Sequence, residues 1–172
     1  MLTLFKSYLS DRKQYTVVDG AKSHMIEIEA GVPQGSRLGP LLFLISINDI
    51  VVGLESEILI FADECSLLAF GKDPTETAGI LNKDLEKISL WANRWKVRFN
   101  AGKSKDIIFS NKFLNNSPPL IFNNNIIERV NTQRHLGVYL SNTLDWAVQI
   151  NDVCLKATKK LTVLRNVRFF KH

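Results

Sequence analysis

The run Ile58-Leu59-Ile60-Phe61-Ala62-Asp63-Glu64-Cys65-Ser66-Leu67-Leu68-Ala69-Phe70 sets two apolar segments on either side of adjacent carboxylates. Each segment has the length of a strand, so the acidic break predicts a buried hairpin with Asp63, Glu64 and Cys65 at its tip. Because the flanks are apolar throughout, the sheet is expected to be covered on one or both faces, with its charge gathered at one end. Carboxylates at a strand end can ligate Mg²⁺ and stabilise charge in phosphoryl transfer. Acidic residues also occupy hairpin turns for local hydrogen bonds, and the residues alone leave both readings open.

Upstream, Gly31-Val32-Pro33-Gln34-Gly35-Ser36 puts two glycines and a proline ahead of the apolar run Leu41 to Ile47. This composition predicts a turn into a helix beginning at Ser36, whose hydroxyl can cap it, with Pro40 close enough to the start to be tolerated. Free amides there suit a phosphate or nucleotide, although a plain strand-to-helix connection looks similar. Leu2 to Leu9 reads as a short helix, and Gln14 to Val18 and Met25 to Glu29 as two strands around Asp19-Gly20.

Downstream, Asp73-Pro74-Thr75-Glu76 combines an N-cap, a proline at the first helical position and a carboxylate three residues on. Ala78, Leu81, Leu85, Ile88, Ala92 and Trp95 then recur at helical spacing on one side. Trp91 and Trp95, a turn apart, suit core or boundary packing better than a base-stacking platform. Asp106 to Ser110 reads as a strand, Leu120-Ile121-Phe122 and Ile126-Ile127-Glu128 as a hairpin around three asparagines, and His135 to Leu140 as another strand. The last segment is helical, with Ile150, Val153, Ala157, Leu161 and Leu164 on one face and Lys156, Lys159 and Lys160 opposite. The asparagine- and proline-rich stretch from Asn111 to Asn125 is the expected loosest loop.

With 172 residues, 45% of them hydrophobic, the chain has enough apolar surface for one globular domain. Its 22 Lys and Arg against 17 Asp and Glu give a net charge of +5, which suits a polyanionic partner, though proteins that bind none share such balances. Two cysteines, Cys65 and Cys154, and no basic leader running into an apolar core argue against a secreted, disulfide-held protein. The longest apolar run falls far short of the roughly 20 residues that cross a bilayer. An intracellular protein of nucleus or cytoplasm, without a membrane partner, is expected.

Five segments carry a resemblance: Tyr8-Leu9-Ser10-Asp11-Arg12-Lys13-Gln14, Gly31 to Phe43, Asn48-Asp49-Ile50, Phe61-Ala62-Asp63-Glu64 and His135-Leu136-Gly137-Val138. In that order they resemble the reverse transcriptase domain of non-LTR retrotransposons, over nearly the whole chain and with Asn100-Ala101-Gly102-Lys103-Ser104-Lys105 also in place. The resemblance implies an α+β fold: a partial polymerase palm, antiparallel sheet backed by helices, over residues 1–140, and the beginning of a thumb helix over 141–172. It implies RNA-directed DNA synthesis from deoxynucleotides on an RNA template and DNA primer, with two Mg²⁺ ions. Asp63 and Glu64 become metal-binding and catalytic residues, and Lys103 stands behind the nucleotide phosphates to stabilise charge or donate a proton. Pro33, Gln34 and Gly35, with the helix after them, face the incoming nucleotide. Phe61 holds the place of the aromatic in the aromatic-Ala-Asp-Asp motif, and His135 to Tyr139 fall where the primer end is gripped. Without that register Lys103 reads as one more solvated lysine.

Two departures qualify these expectations. The family places another metal-binding aspartate on a strand upstream of the glycine loop, beside a fingers subdomain, and nothing before Gly31 matches it; Asp11 and Asp19 read as turn residues. Glu64 stands where the family usually has Asp, and a carboxylate displaced by about 1 Å can cost roughly a hundredfold in rate. The chain is therefore expected to be truncated at its N-terminus, catalytically incomplete, and inactive or degenerate alone. An unpaired apolar sheet edge is expected to favour self-association. Two rival readings are a non-catalytic nucleic-acid-binding remnant using Lys96, Arg98, Lys103, Lys105 and the C-terminal lysines, and an interaction module pairing through its sheet edge.

Overall fold

The computed structural model describes residues 2–33, 35–110 and 117–169. They fall into two compact units: Met1–Ala69 with Lys83–Phe99, and Phe70–Asn82 with Asn100–His172.

In the first unit, helix α1 spans Leu2–Leu9 as its sequence predicts, and closes with the Ser10 amide on the Lys6 carbonyl at 3.0 Å and Asp11 at φ 54°. A left-handed residue at this position is a common helix stop. The two strands expected next are instead two short ribbons. Strand β1 (Lys13–Gln14) pairs antiparallel with β4 (Ile26–Glu27), and β2 (Val17–Val18) pairs with β3 (Ala21–Lys22) around Asp19-Gly20. Between them the Thr16 amide donates to the Ser23 hydroxyl at 2.9 Å rather than to a carbonyl, which interrupts the ladder. Asp19 and Gly20 sit at φ 49° and 83°, the paired positive angles of a type I′ turn.

Helix α2 runs Gly39–Ile47 and continues into a 3₁₀ turn over Asn48–Val51. It starts three residues later than expected, with Leu38 and not Ser36 at the N-cap position, because Ser36 is held in the preceding loop, where its hydroxyl donates to the Pro33 carbonyl and accepts the Gly39 amide, each at 2.9 Å. A side chain on Gly39 would come within 2.7 Å of the Pro33 carbonyl oxygen, so only glycine lets the loop close on the helix.

The acidic hairpin forms from β5 (Glu57–Phe61) and β6 (Glu64–Leu68), in the register Phe61 opposite Glu64 and Glu57 opposite Leu68. The turn is Ala62-Asp63, so Glu64 and Cys65 belong to β6 and not to the tip. Nor is the hairpin buried on both faces: Ile58 and Ile60 are half-buried, whereas Leu59 and Phe61 are 55% and 65% exposed.

Helix α3, Pro74–Trp95, starts as predicted, the Asp73 carboxylate accepting the Thr75 amide at 2.9 Å. Its apolar face buries Ala78, Ile88 and Ala92 and half-buries Leu81 and Leu85, but Trp95 stays 47% exposed. Ile47, Ile50, Ile88 and Ala92 form the core of the first unit.

In the second unit, β7 (Lys105–Asp106) pairs parallel with β10 (Glu128–Arg129). The strand expected over Asp106 to Ser110 is thus cut short after its first residue. Strands β8 (Ile121–Phe122) and β9 (Asn125–Ile126) make the expected hairpin, turning on Asn123-Asn124 at φ 49° and 62°. The strand expected over His135 to Leu140 is folded in its middle: β11 (Thr132–His135) pairs with β12 (Val138–Ser141) around Leu136-Gly137, φ 48° and 88°. Gly137 supplies the positive angle that lets the chain reverse there. Leu120, Phe122, Ile127 and Ala78 are the buried apolar residues of this unit. Helix α4, Ala147–Phe169, is capped by Asp145, whose carboxylate accepts the Ala147 amide at 3.1 Å, and its Gln149 side chain accepts the Tyr139 amide at 2.9 Å. The α4 residues Ile150, Val153, Leu161 and Leu164 stand 52–65% exposed.

The class is α+β, a mixture of helices and small, mainly antiparallel sheets. Where a continuous sheet was expected, the described strands form six two-stranded ribbons. Among the described residues no helix is long and apolar enough to cross a membrane.

Candidate functional site

The tip of the β5–β6 hairpin is built from an apolar run that extends as a strand and an Ala-Asp pair that reverses it. Only the first turn residue, Ala62, has positive φ, at 51°, the φ pattern of a type II′ turn, in which glycine is the usual occupant. Holding alanine there costs about 1 kcal/mol. Asp63 is exposed at the second turn position. Glu64, opposite Phe61, shares a sheet face with it, since cross-strand partners point the same way. Behind them, burial pushes the Cys65 thiol above its ordinary range, and the negative charge of Asp63 adds to the shift.

The hairpin end thus carries the Asp63 carboxylate at the turn, with the exposed Phe61 and Glu64 as the strand pair that closes it. A two-ion phosphoryl-transfer centre asks for more, because its carboxylates must converge from more than one strand. Among the described residues no group of three or more His, Cys, Asp or Glu side chains gathers to hold a metal. Asp63 and Glu64, from one hairpin, do not by themselves fit the two-Mg²⁺ centre implied by the resemblance.

The glycine loop belongs to the same unit and is held at both ends. At its entrance the Arg12 guanidinium donates to the carbonyls of Ala30 and Gly31, at 3.2 and 2.6 Å. At its exit Ser36 ties Pro33 to the start of α2. Gly35, at φ 79° with open space around its Cα, needs glycine for backbone conformation and not for lack of room. Gln34 lies outside the described residues.

Sequence reasoning missed the base of the hairpin. Asp84 of α3 has no exposed surface. One carboxylate oxygen accepts the Ser56 amide and hydroxyl, each at 2.7 Å, and the Glu55 amide at 2.8 Å; the other accepts the Lys87 ammonium at 2.9 Å. Lys87 also donates to the Gly53 carbonyl at 2.7 Å. Burial alone pushes the Asp84 carboxyl up, but the Ser56 amide, Lys87, the Ser56 hydroxyl and the Glu55 amide outweigh it and hold it below its usual range. A signal was present: Asp84 lies three residues after Leu81 and four before Ile88, inside the apolar stripe. Nearby, Trp91 donates its indole N–H to the Asp49 carboxylate at 2.7 Å, in keeping with a boundary role.

Lys103 belongs to the second unit, exposed in a turn where its amide donates to the Asn100 carbonyl at 3.1 Å. Of the other basic candidates, Lys96 pairs with Glu29 at 3.2 Å and Lys105 pairs closely with Glu128, while Arg98 is exposed. His135 and Tyr139 flank the β11–β12 turn, with the Arg134 guanidinium 5.8 Å from the Tyr139 ring centre.

Residues 2–144 match the family model for reverse transcriptase (RNA-dependent DNA polymerase). The RNA-directed DNA polymerase from mobile element jockey of Drosophila funebris is 31% identical over 99% of this chain and 21% of its own length. The jockey protein of Drosophila melanogaster is 31% identical over 86% of this chain and 17% of its own length. A Pol polyprotein from the type-1 retrotransposable element R1 of Nasonia vitripennis is 24% identical over 80% and 35% respectively. The chain spans roughly a fifth of the length of the jockey relatives. No solved structure matches it. With the glycine loop and the Phe61 to Glu64 hairpin both inside the matched segment, the chain belongs to the reverse transcriptase (RNA-dependent DNA polymerase) family, and these similarities are to proteins of mobile elements.

Proposed function

We propose that this chain is the nucleotide-facing part of an RNA-directed DNA polymerase of a non-LTR element, with residues 1–140 as palm and 141–172 as the start of the thumb. Asp63 furnishes one carboxylate toward the Mg²⁺ ions of nucleotidyl transfer, with Glu64 beside it. By the family resemblance, Pro33, Gln34, Gly35 and Phe61 are the deoxynucleotide-binding positions, and Lys103 is the position of the lysine that serves its phosphates. The observation that carries this reading is the presentation of Asp63 at an exposed turn, in the same unit as a glycine loop tied down by Arg12 and Ser36. Since the described carboxylates do not complete a two-ion centre, the chain by itself is inactive in this proposal.

Primer extension on an RNA template with Mg²⁺ and deoxynucleotides tests it. The expected result is salt-sensitive binding of the template–primer without extension. Extension that Asp63→Asn abolishes would overturn the proposed inactivity, and absence of any nucleic-acid or nucleotide binding would count against the whole reading.

One observation favours a second reading, association through the hairpin edge. Among the described strands β5 and β6 pair only with each other, and they expose Leu59 and Phe61. Concentration-dependent oligomers in sedimentation, without nucleic-acid binding, are its signature.

A further inference from the structure

The β5–β6 hairpin faces a problem of choice. Ile58, Leu59, Ile60 and Phe61 are apolar at consecutive positions, so the alternation that normally decides which face of a strand is buried is missing. A slip by one residue would bury Leu59 and Phe61 and expose Ile58 and Ile60 at little cost in apolar area, and would re-aim every side chain up to the Ala62-Asp63 turn. Yet one arrangement is adopted, with Ile58 and Ile60 half-buried and Leu59 and Phe61 out.

What differs between the two arrangements is polar. The Asp84 carboxylate accepts two successive amides, Glu55 and Ser56, and the Ser56 hydroxyl, immediately before β5 begins at Glu57. Only serine at that one position offers both an amide and a hydroxyl to the same oxygen; after a slip, Ser56 leaves and either Glu57 or Glu55 brings a second carboxylate toward a buried one. A buried charge tolerates neither the lost donors nor the added repulsion. Lys87, bonded to Asp84 and to the Gly53 carbonyl, fixes the chain two residues further back.

We propose that Asp84 is a positioning residue: it pins the register in which β5 docks, and through that strand sets where Asp63 is presented. For its functional consequence this rests on the reading of Asp63 as a ligand-facing carboxylate; the register claim itself does not.

The test compares the full wild-type chain with Asp84→Asn and with the double variant Asp84→Leu/Lys87→Met, which leaves no buried charge behind, since Glu55, the other partner of Lys87, is half exposed to water, and so keeps the fold accessible. Methyl relaxation by a soluble paramagnetic agent reads the register directly. Wild type should show strong relaxation at Leu59 and weaker relaxation at Ile58 and Ile60. In the double variant that contrast should collapse, and amide exchange over residues 57–68 should speed at least tenfold relative to α3, while helix content stays unchanged. Stability loss alone would not erase the contrast in the folded population. A folded double variant that keeps the wild-type contrast overturns the proposal, whatever Asp84→Asn does to folding. Mn²⁺ broadening of the Asp63 and Glu64 amides in wild type is the separate check on function: its absence overturns the ligand reading and not the register claim.

Discussion

Phe61 and Glu64 face each other as the last antiparallel pair of the acidic hairpin, leaving Ala62 and Asp63 alone to make the turn. The two carboxylates that are neighbours in sequence are therefore not equivalent. Asp63 projects from the turn, whereas Glu64 lies on a strand face beside an exposed phenyl ring.

Mn²⁺ binding should divide along that line. Asp63→Asn is expected to abolish paramagnetic broadening at the turn, and Glu64→Gln to weaken it only a few-fold, because Asp63 is the exposed turn residue whereas Glu64 belongs to the strand. Titrations followed by NMR decide it; equal effects of the two substitutions would contradict the assignment of Asp63 as the leading ligand.

Ala62 sits at φ 51° where glycine is the natural occupant. Replacing it with glycine removes left-handed strain at the expense of extra freedom in the unfolded chain. Ala62→Gly should therefore stabilise the protein by ~0.5 kcal/mol or more, seen as a higher urea midpoint. A lower midpoint would mean that the turn is not strained.

Acid stability should depend on Asp84. Its carboxyl is held below its usual range when folded, so its contribution is present above the unfolded-state value near pH 3.9 and is lost as pH falls through the lower folded value. Asp145, held low first by the Thr143 hydroxyl and then by the Ala147 amide and Ser141 hydroxyl, acts in the same direction. The informative quantity is therefore a difference. Between pH 5 and pH 2, Asp84→Asn should lose less stability than wild type, and parallel curves would contradict the buried, charge-stabilised carboxylate.

Core and surface positions of α3 should separate cleanly. Ile88, 5% exposed, becomes a cavity in Ile88→Ala at a cost of ~2–4 kcal/mol, enough to remove much of a small domain's stability. Leu90, 66% exposed two residues later, should cost less than ~1 kcal/mol as alanine. Similar losses at both sites, by thermal melting, would mean that the exposed face of α3 is covered in solution.

The sequence alone carried the family and most element identities, and the reasons are local. Leu2–Leu9 and the Asp73-Pro74 helix start are short-range signals, and Asp19-Gly20 and Asn123-Asn124 announce their turns through residues that accept positive φ. The ordered motifs around Gly31 and Asp63 were equally legible, since each is a run of neighbouring residues that does not depend on distant contacts. Strand extent was not: the Thr16–Ser23 exchange and the Leu136-Gly137 reversal depend on which backbone groups find partners across the ribbon. The separation of Asp63 from Glu64 is likewise a matter of register. The burial of Asp84 belongs to tertiary structure as well. A carboxylate leaves water only when donors from elsewhere in the chain arrive to replace it, and Glu55 and Ser56 reach it from nearly thirty residues away in sequence.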